Sequence, residues 1–492
     1  MSLLGLDIGT AGTKAVVFSE SGSIIDSDYQ EYPHIYPRPG WAELSPEKVW
    51  QAVRKTVSRV ARKNPSIRAL CISCLGDNII PVASDGTPNY NGILAFDTRT
   101  TEEVEIVSTV IGRERFFKTT GSPISTISNL CKIIWLQRNR PDVFQSTWKF
   151  MMFADYVLFR MGFPPTTTYS MASLSIFDIK RKEYPETILK EFGLNSNLFS
   201  DPVPPGHIIG EAPASTRSEF GLPKGTQVIA GGIDLAFGVL GAGVSPLTPN
   251  RVADVAGTFE HAAYVTKEPV FEKLALDENV LCFCNVSHDS YVIFRGLPTA
   301  GAALNWFRDE FAREEKAKAE REGKNIYDVM FEPLQFNGGN IIIHPYLAGR
   351  YGNSSARGSI LGLTLGTKKE DILAGLVEGI THEIRINIEV IERLARKRLG
   401  VVRAVGGLAK SIKWLQLKAD LTGRTIERVS ITEASALGAA LLAGVAIGVY
   451  ASIDEAVRNT TKVTDSFSPR PEIFEIYNEQ HEVYKRLARR WW

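Results

Sequence analysis

The sequence predicts an α/β protein built from two sizeable, related halves, and three observations carry that expectation. The 492 residues are roughly three times the ~150 of a common single domain. Short apolar strands alternate with segments of helical period along the chain. The opening pattern of strand, glycine-rich turn and strand returns after Pro249. Apolar residues at 44% and charged residues at 23% exclude wholesale disorder. A net charge of +1 leaves no global field to gather nucleic acid or anionic membrane.

Leu3–Ile8 reads as the first strand, Gly9-Thr10-Ala11-Gly12-Thr13 as a turn and Lys14–Phe18 as the return strand. Ser23–Tyr32 makes a third strand, so the chain begins with a meander. Ser45 caps a helix with Pro46 at its first position, and Val49, Ala52, Val53, Val57 and Val60 form its apolar face. Strands are expected at Arg68–Ser73 and Asn91–Ala95, and helices at Thr100–Ile111, Asn129–Asn139 and Phe150–Met161. Val228–Ile233 reads as a buried strand and Leu235–Gly243 as a short helix. Ser245-Pro246-Leu247-Thr248-Pro249 is the best boundary, dividing the chain into 1–245 and 246–492.

Arg251–Ala256, Gly257-Thr258 and His261–Thr266 then echo the opening in pattern. Thr299–Glu322 reads as one long helix ending in a solvated charge run. Lys369–Leu399 reads as another, with Gly400 as its cap. The charge-free segment Ala434–Tyr450 is only 17 residues long and rich in Ala and Gly, which suits a buried helix better than a membrane span. Met1–Ile8 has no basic head, so no secretory leader is expected. Five cysteines are too few for a disulfide scaffold and fit a reducing cytoplasm. Cys71, Cys74, Cys282 and Cys284 lie in apolar runs and read as buried strand residues, in preference to zinc ligands.

Three glycine-rich turns each follow an apolar strand. In the first, backbone N–H groups and the hydroxyls of Thr10 and Thr13 suit phosphate oxygens, with Gly12 in the turn and Lys14 as a point charge. Asp7 at the strand end suits Mg²⁺. A hairpin whose turn happens to be rich in Gly and Thr is the alternative. The second turn, Gly257-Thr258, means little alone. The third, Gly406-Gly407-Leu408-Ala409-Lys410-Ser411, would let a flat ring lie on the backbone, or else serves close helix–strand packing. Asp234 stands alone among apolar and glycine residues from Val228 to Gly243. A charge there is costly to bury, so it faces a cleft with a cation or substrate, caps a helix, or does both.

With these landmarks the chain resembles the FGGY carbohydrate kinases, a branch of the actin/Hsp70/hexokinase-type ATPases. Further matches in the family's order are Pro39-Gly40-Trp41-Ala42-Glu43, Asp97-Thr98-Arg99, Lys132-Ile133-Ile134-Trp135, Asp155-Tyr156, Gly231-Gly232-Ile233-Asp234, Pro345–Gly349, Arg357-Gly358 and Ala436–Ala440. The resemblance implies two RNase H-like domains with a deep cleft between them, ATP mainly on the second and sugar mainly on the first. It implies Asp234 as general base, Asp7 and Asp234 as the metal-associated carboxylates, and Thr10, Gly12, Thr13, Lys14, Gly257 and Thr258 at the phosphates. Gly406, Gly407 and Ser411 match the adenosine site. ATP and Mg²⁺ are the implied cofactors, and a sugar (a ketose such as a pentulose) or a polyol is the implied partner. A homodimer is among the assemblies it allows.

On the sugar side, Trp41 is expected to cover one face of the substrate, with Asp77, Asn78, Asp97 and Arg99 delivering polar groups. Where xylulose kinases carry Gln-Met-His-Gly, this chain has Leu75-Gly76-Asp77-Asn78. Where the family usually reads Gly-Thr-Ser-Gly, it has Gly257-Thr258-Phe259-Glu260, and Leu408 replaces a third glycine. A sugar-independent ATPase of the actin/Hsp70 type is the competing function. Trp41, Asp77, Asp97 and Arg99 argue against it, because a hydroxyl-rich ligand suits an aromatic platform with convergent polar groups.

Overall fold

The computed structural model describes every residue except Ser175, His288, Asn337, Tyr351, Gly352, Ser354, Ile431, Thr432 and Trp492. The chain forms two compact units. The first comprises Met1–Leu247, Val265–Ile293 and Glu433–Thr461, and the second Thr248–Tyr264, Phe294–Thr432 and Lys462–Trp492. By contacts, two segments beyond the expected 245/246 boundary, Val265–Ile293 and Glu433–Thr461, group with the first unit.

In the first unit, β1 (Ser2–Ile8), β2 (Gly12–Ser19) and β3 (Ile24–Glu31) form the expected antiparallel meander. The helix α1 (Pro46–Ala61) follows, and Ser45 caps it by accepting the Lys48 N–H. Its buried Val49, Val53, Val57 and Val60 form the apolar stripe. Next, β4 (Ile67–Cys74) pairs parallel with β1 and places Ser73 beside Asp7. The sheet is completed by β5 (Ile208–Glu211) and β6 (Gln227–Ile233), in the order β5-β6-β4-β1-β2-β3. The parallel core strands β1, β4 and β6 are nearly continuous apolar runs, as a strand covered on both faces requires. From β6 the chain passes directly into α2 (Asp234–Gly241).

The second unit repeats the motif. A hairpin of β7 (Arg251–Ala256) and β8 (Glu260–Thr266) follows its entry. The long helix α3 (Lys369–Ala395) precedes β9 (Val401–Gly406), which pairs parallel with β7. Then come α4 (Ile412–Thr422) and β10 (Thr425–Val429), the latter parallel to β9. The helix α5 (Ala434–Ala446) belongs to the first unit, while β11 (Val463–Phe467) pairs with β10 and α6 (Pro471–Trp491) follows.

Residue size explains why α5 packs in the first unit. A methyl added to Gly5 would lie 2.0 Å from the Ala436 carbonyl oxygen, and one added to Gly438 would lie 2.5 Å from that of Phe237. Small residues thus let α5 approach β1 and α2 backbone to backbone. No helix among the described residues is long and apolar enough to cross a membrane. All five cysteines are free and buried.

Four local expectations change. Lys149–Met151 is a strand paired with Ile80–Val82, and the helix begins only at Phe153. Of the strand expected at Asn91–Ala95, only Gly92–Ile93 forms. The helix expected over 299–322 is two, Ala300–Phe311 and Arg313–Glu322, parted at Ala312 where ψ is 41°. α3 is capped by Arg396 at φ 53°, not by Gly400. The chain leaves the helix early so that Leu399 can enter the core.

Candidate active site

In the first unit, strand ends bring three carboxylates into one electrostatic neighbourhood. Asp7 is the penultimate residue of β1, Asp77 follows β4 and Asp234 opens α2. Asp234 is partly exposed at the first helical position, and its Oδ1 accepts the following Leu235 N–H at 2.7 Å. Burial first, and the charge of Asp7 second, push its carboxyl up to about 7. Asp7 is pushed up to about 6, mainly by burial, against a 2.7 Å hydrogen bond from Ser73 Oγ. Ser435 Oγ donates to the Asp234 carbonyl at 3.2 Å, and the Ile233 N–H donates to Ser170 Oγ at 3.3 Å. Two bonds from outside the β6–α2 junction therefore fix it.

The open part of the turn expected to hold phosphate is narrower than the sequence suggests. Gly9, Thr10 and Ala11 are at least partly open, whereas Gly12 and Thr13 already belong to β2 and are buried. The Thr13 hydroxyl thus lies inside the fold and does not face the turn's open side. A methyl on Gly12 would lie 2.6 Å from the Tyr29 ring, so this glycine serves packing. The Lys14 ammonium is bonded at 2.8 Å to Glu433, just ahead of α5, with both side chains about one-third exposed.

On the sugar side the structure separates the expected residues. Asp97 and Arg99 are fully buried and bonded to each other at 2.7 Å, with Glu43 on the same guanidinium at 2.9 Å. The guanidinium also lies 3.9 Å from the centre of the Trp41 ring. Asp97 further accepts the Ala42 N–H at 2.6 Å. Neither member of this pair offers a free group to a ligand, because each charge is neutralised inside the protein. Asn78 is also buried, and its amide bonds the Leu75 carbonyl at 2.9 Å and the Phe153 N–H at 2.9 Å. Asp97, Arg99 and Asn78 are therefore braces beneath the site. Trp41 and Asp77 remain partly exposed.

Asp77 adopts φ 51°, a left-handed conformation that a non-glycine residue rarely takes. Lys132 holds it: the ammonium donates to the Asp77 carbonyl and, at 3.4 Å, to Asn129 Oδ1. Burial raises the Asp77 carboxyl and lowers the Lys132 ammonium. The role of Lys132 escaped sequence reasoning, although a lone cation inside Leu130–Leu136 carries the same signal that singled out Asp234. Ser73 and Glu433 escaped as well, since only strand register and the return of α5 place them here.

In the second unit, Gly257 and Thr258 form the exposed turn between β7 and β8. Gly406 sits at φ 95°, where an added methyl would lie 2.1 Å from the Ala256 carbonyl oxygen. Gly407, in contrast, has nothing within 4 Å of such a methyl. Gly406 thus serves strand packing and Gly407 presents open backbone. Ser411 caps α4 by accepting the Trp414 N–H at 3.4 Å.

Comparison with known proteins agrees with this architecture. The family model for the FGGY family of carbohydrate kinases, N-terminal domain, matches residues 2–241, and the C-terminal domain model matches 252–447. The chain is 28% identical to a gluconokinase of Bacillus subtilis over 498 residues, covering 99% of this chain and 95% of that protein. It is 27% identical to a xylulose kinase of the same organism over 493 residues, covering 99% and 96%. The fold matches a ligand-bound xylulose kinase of Lactobacillus acidophilus with TM-score 0.90 at 22% identity, covering 99% and 98%.

Proposed function

The chain belongs to the FGGY family of carbohydrate kinases, and on that premise we propose that Asp234 is the general base of ATP-dependent phosphoryl transfer to a hydroxyl of a neutral, open-chain ketose or polyol. A carbohydrate kinase uses a sugar or polyol as acceptor, so the sugar-independent ATPase is set aside. The observation that carries the assignment is the placement of Asp234: partly exposed, at a strand-to-helix junction, with a carboxyl raised to about 7. A base titrating near neutrality accepts a hydroxyl proton efficiently.

Asp7 and Asp234 also fit Mg²⁺. Their mutual repulsion raises the Asp234 carboxyl and leaves surplus negative charge for a cation to neutralise. Mg²⁺ needs only one or two carboxylates when water and phosphates complete its shell. Bound there, the ion would neutralise charge on the phosphates during transfer. The Thr10 end of the first turn and the Gly257-Thr258 turn are assigned to the phosphates, and Gly407 and Ser411 to the adenosine.

The neutral acceptor follows from charge. Asp7, Asp77 and Asp234 put acidic groups here, while the neighbouring cations Arg99 and Lys132 are already engaged. An ionised Asp77 accepts hydrogen bonds and so suits a sugar hydroxyl. Once these raised carboxyls are ionised, an aldonate carboxylate would meet repulsion. The five buried free thiols support a cytoplasmic setting. A screen of ADP release over pentuloses, hexuloses, tetritols and aldonates tests the reading. Turnover with a neutral acceptor, D-xylulose being poor, is the expected result, and a clear preference for an aldonate would overturn the neutral-acceptor assignment.

A further inference from the structure

The second unit holds a buried ionic triad. Lys418 on α4 donates to Asp254 on β7 and to Glu260 at the start of β8. The three side chains are at most 1% exposed. One cation faces two carboxyl groups, and each acid keeps a buried oxygen, Asp254 Oδ1 and Glu260 Oε2, without a hydrogen-bond partner among the described residues. Burial raises the Glu260 carboxyl, and its two ion partners hold Lys418 above its ordinary value despite its own burial.

Such a cluster is a poor stabiliser. Replacing buried ions by apolar groups of similar volume is often neutral or favourable. Its location explains its presence better. Asp254 and Glu260 stand on the two strands that flank the Gly257-Thr258 turn, since Ala256 pairs with Glu260 across the hairpin. Lys418 lies on the helix that Ser411 caps, directly after the Gly406–Ser411 segment. Ala256 is also the strand partner of Gly406. One ammonium therefore ties together the elements that present both turns.

We propose that the Lys418–Asp254–Glu260 triad is a positioning device for the nucleotide, setting the spacing between the Gly257-Thr258 turn and the Gly407–Ser411 turn. The proposal rests on the assignment of those turns to ATP. Glu260 occupies a position where a small residue would leave Lys418 with Asp254 alone, and the hairpin would lose its second tether.

Steady-state kinetics on four variants tests this. Glu260→Leu keeps the Lys418–Asp254 pair and should raise the KM for ATP roughly tenfold, as small misplacements do, with the sugar KM within about twofold of wild type. Glu260→Gln keeps an acceptor for Lys418 and should restore most of the ATP affinity. Lys418→Met leaves two carboxyl groups buried without their cation, so it should raise the KM for ATP as Glu260→Leu does and lower the melting temperature as well. Thr258→Ala reports on the turn itself. A raised ATP KM in Thr258→Ala with no change in Glu260→Leu would overturn the triad's role alone. An unchanged ATP KM in Thr258→Ala would remove the nucleotide assignment and the proposal with it. A Glu260→Leu chain that fails to fold, or that raises both KM values together, would make the triad a folding element and likewise overturn it.

Discussion

The buried ammonium of Lys132 donates a hydrogen bond to the backbone carbonyl of Asp77, the residue held at φ 51°. The bond offsets the cost of a left-handed aspartate, which is of order 1–3 kcal/mol for a strained non-glycine position. Asp77→Gly should therefore keep or raise the melting temperature, because glycine adopts this conformation freely. The same variant should lower kcat/KM for the sugar by roughly 10–100-fold, because the acceptor proposed for a sugar hydroxyl is lost. Thermal unfolding and sugar kinetics, measured together, check both signs. An unchanged sugar kcat/KM would show that Asp77 only shapes the turn.

Asp234→Asn should slow transfer by ~10²–10⁴-fold while nucleotide still binds. In wild type, kcat/KM should fall as pH drops through the region near 7, because protonated Asp234 cannot accept a proton. The stability sign is the reverse. Asp7 and Asp234 are raised above an ordinary value of 3.8, so the folded state binds more protons than the unfolded chain across the interval between. Their contribution to stability is full below pH 3.8 and is lost as pH rises through about 6 and about 7. A pH–rate profile beside a pH series of denaturant melts measures the two trends; in Asp234→Asn the rate profile should flatten near 7, while the stability trend should keep only the part due to Asp7.

Arg99→Met should destabilise the first unit by about 3–5 kcal/mol, since it leaves the Asp97 and Glu43 carboxylates buried without their cation. Arg99→Lys should recover only part of this, because an ammonium cannot reproduce a guanidinium bonded to two acids while stacked on Trp41. Urea unfolding reads the difference. A stable Arg99→Met protein that had lost only sugar binding would restore Arg99 to the ligand.

Two adjacent glycines should behave oppositely. Gly406→Ala places a methyl against the Ala256 carbonyl at an unfavourable φ, and should cost about 2 kcal/mol or more. Gly407→Ala meets nothing within 4 Å, so stability should change by less than about 0.5 kcal/mol. If nucleotide lies on that backbone, Gly407→Ala should instead weaken ADP binding. Calorimetric titration with ADP, together with melting curves, separates the outcomes.

Much of the frame was legible in the sequence because its signals are local. The Ser45–Pro46 helix start, the opening meander and its echo after Pro249 all appear where periodicity and turn chemistry put them. Asp234 stood out because an isolated charge in an apolar run has few structural explanations. Side-chain direction was not legible. Asp97 and Arg99 follow a strand toward the expected site, yet they point at each other, which only the fold around Trp41 and Glu43 decides. The helix end at Arg396 was missed because arginine takes a conformation usually left to glycine. The membership of α5 was missed because long-range packing of small residues leaves no local mark of its partner.

That late-arriving helix has a consequence for how the polypeptide matures. The segment Glu433–Thr461 completes a unit whose other segments are made by Ile293. At translation speeds of ~5–20 residues per second, the nascent first unit must wait roughly ten seconds or more for its last wall. During that interval Gly5 and the apolar side of α2 have no covering helix. The unit should therefore depend on chaperones while it is being synthesised, and fragments ending near residue 245 should prove insoluble even though they contain the proposed base.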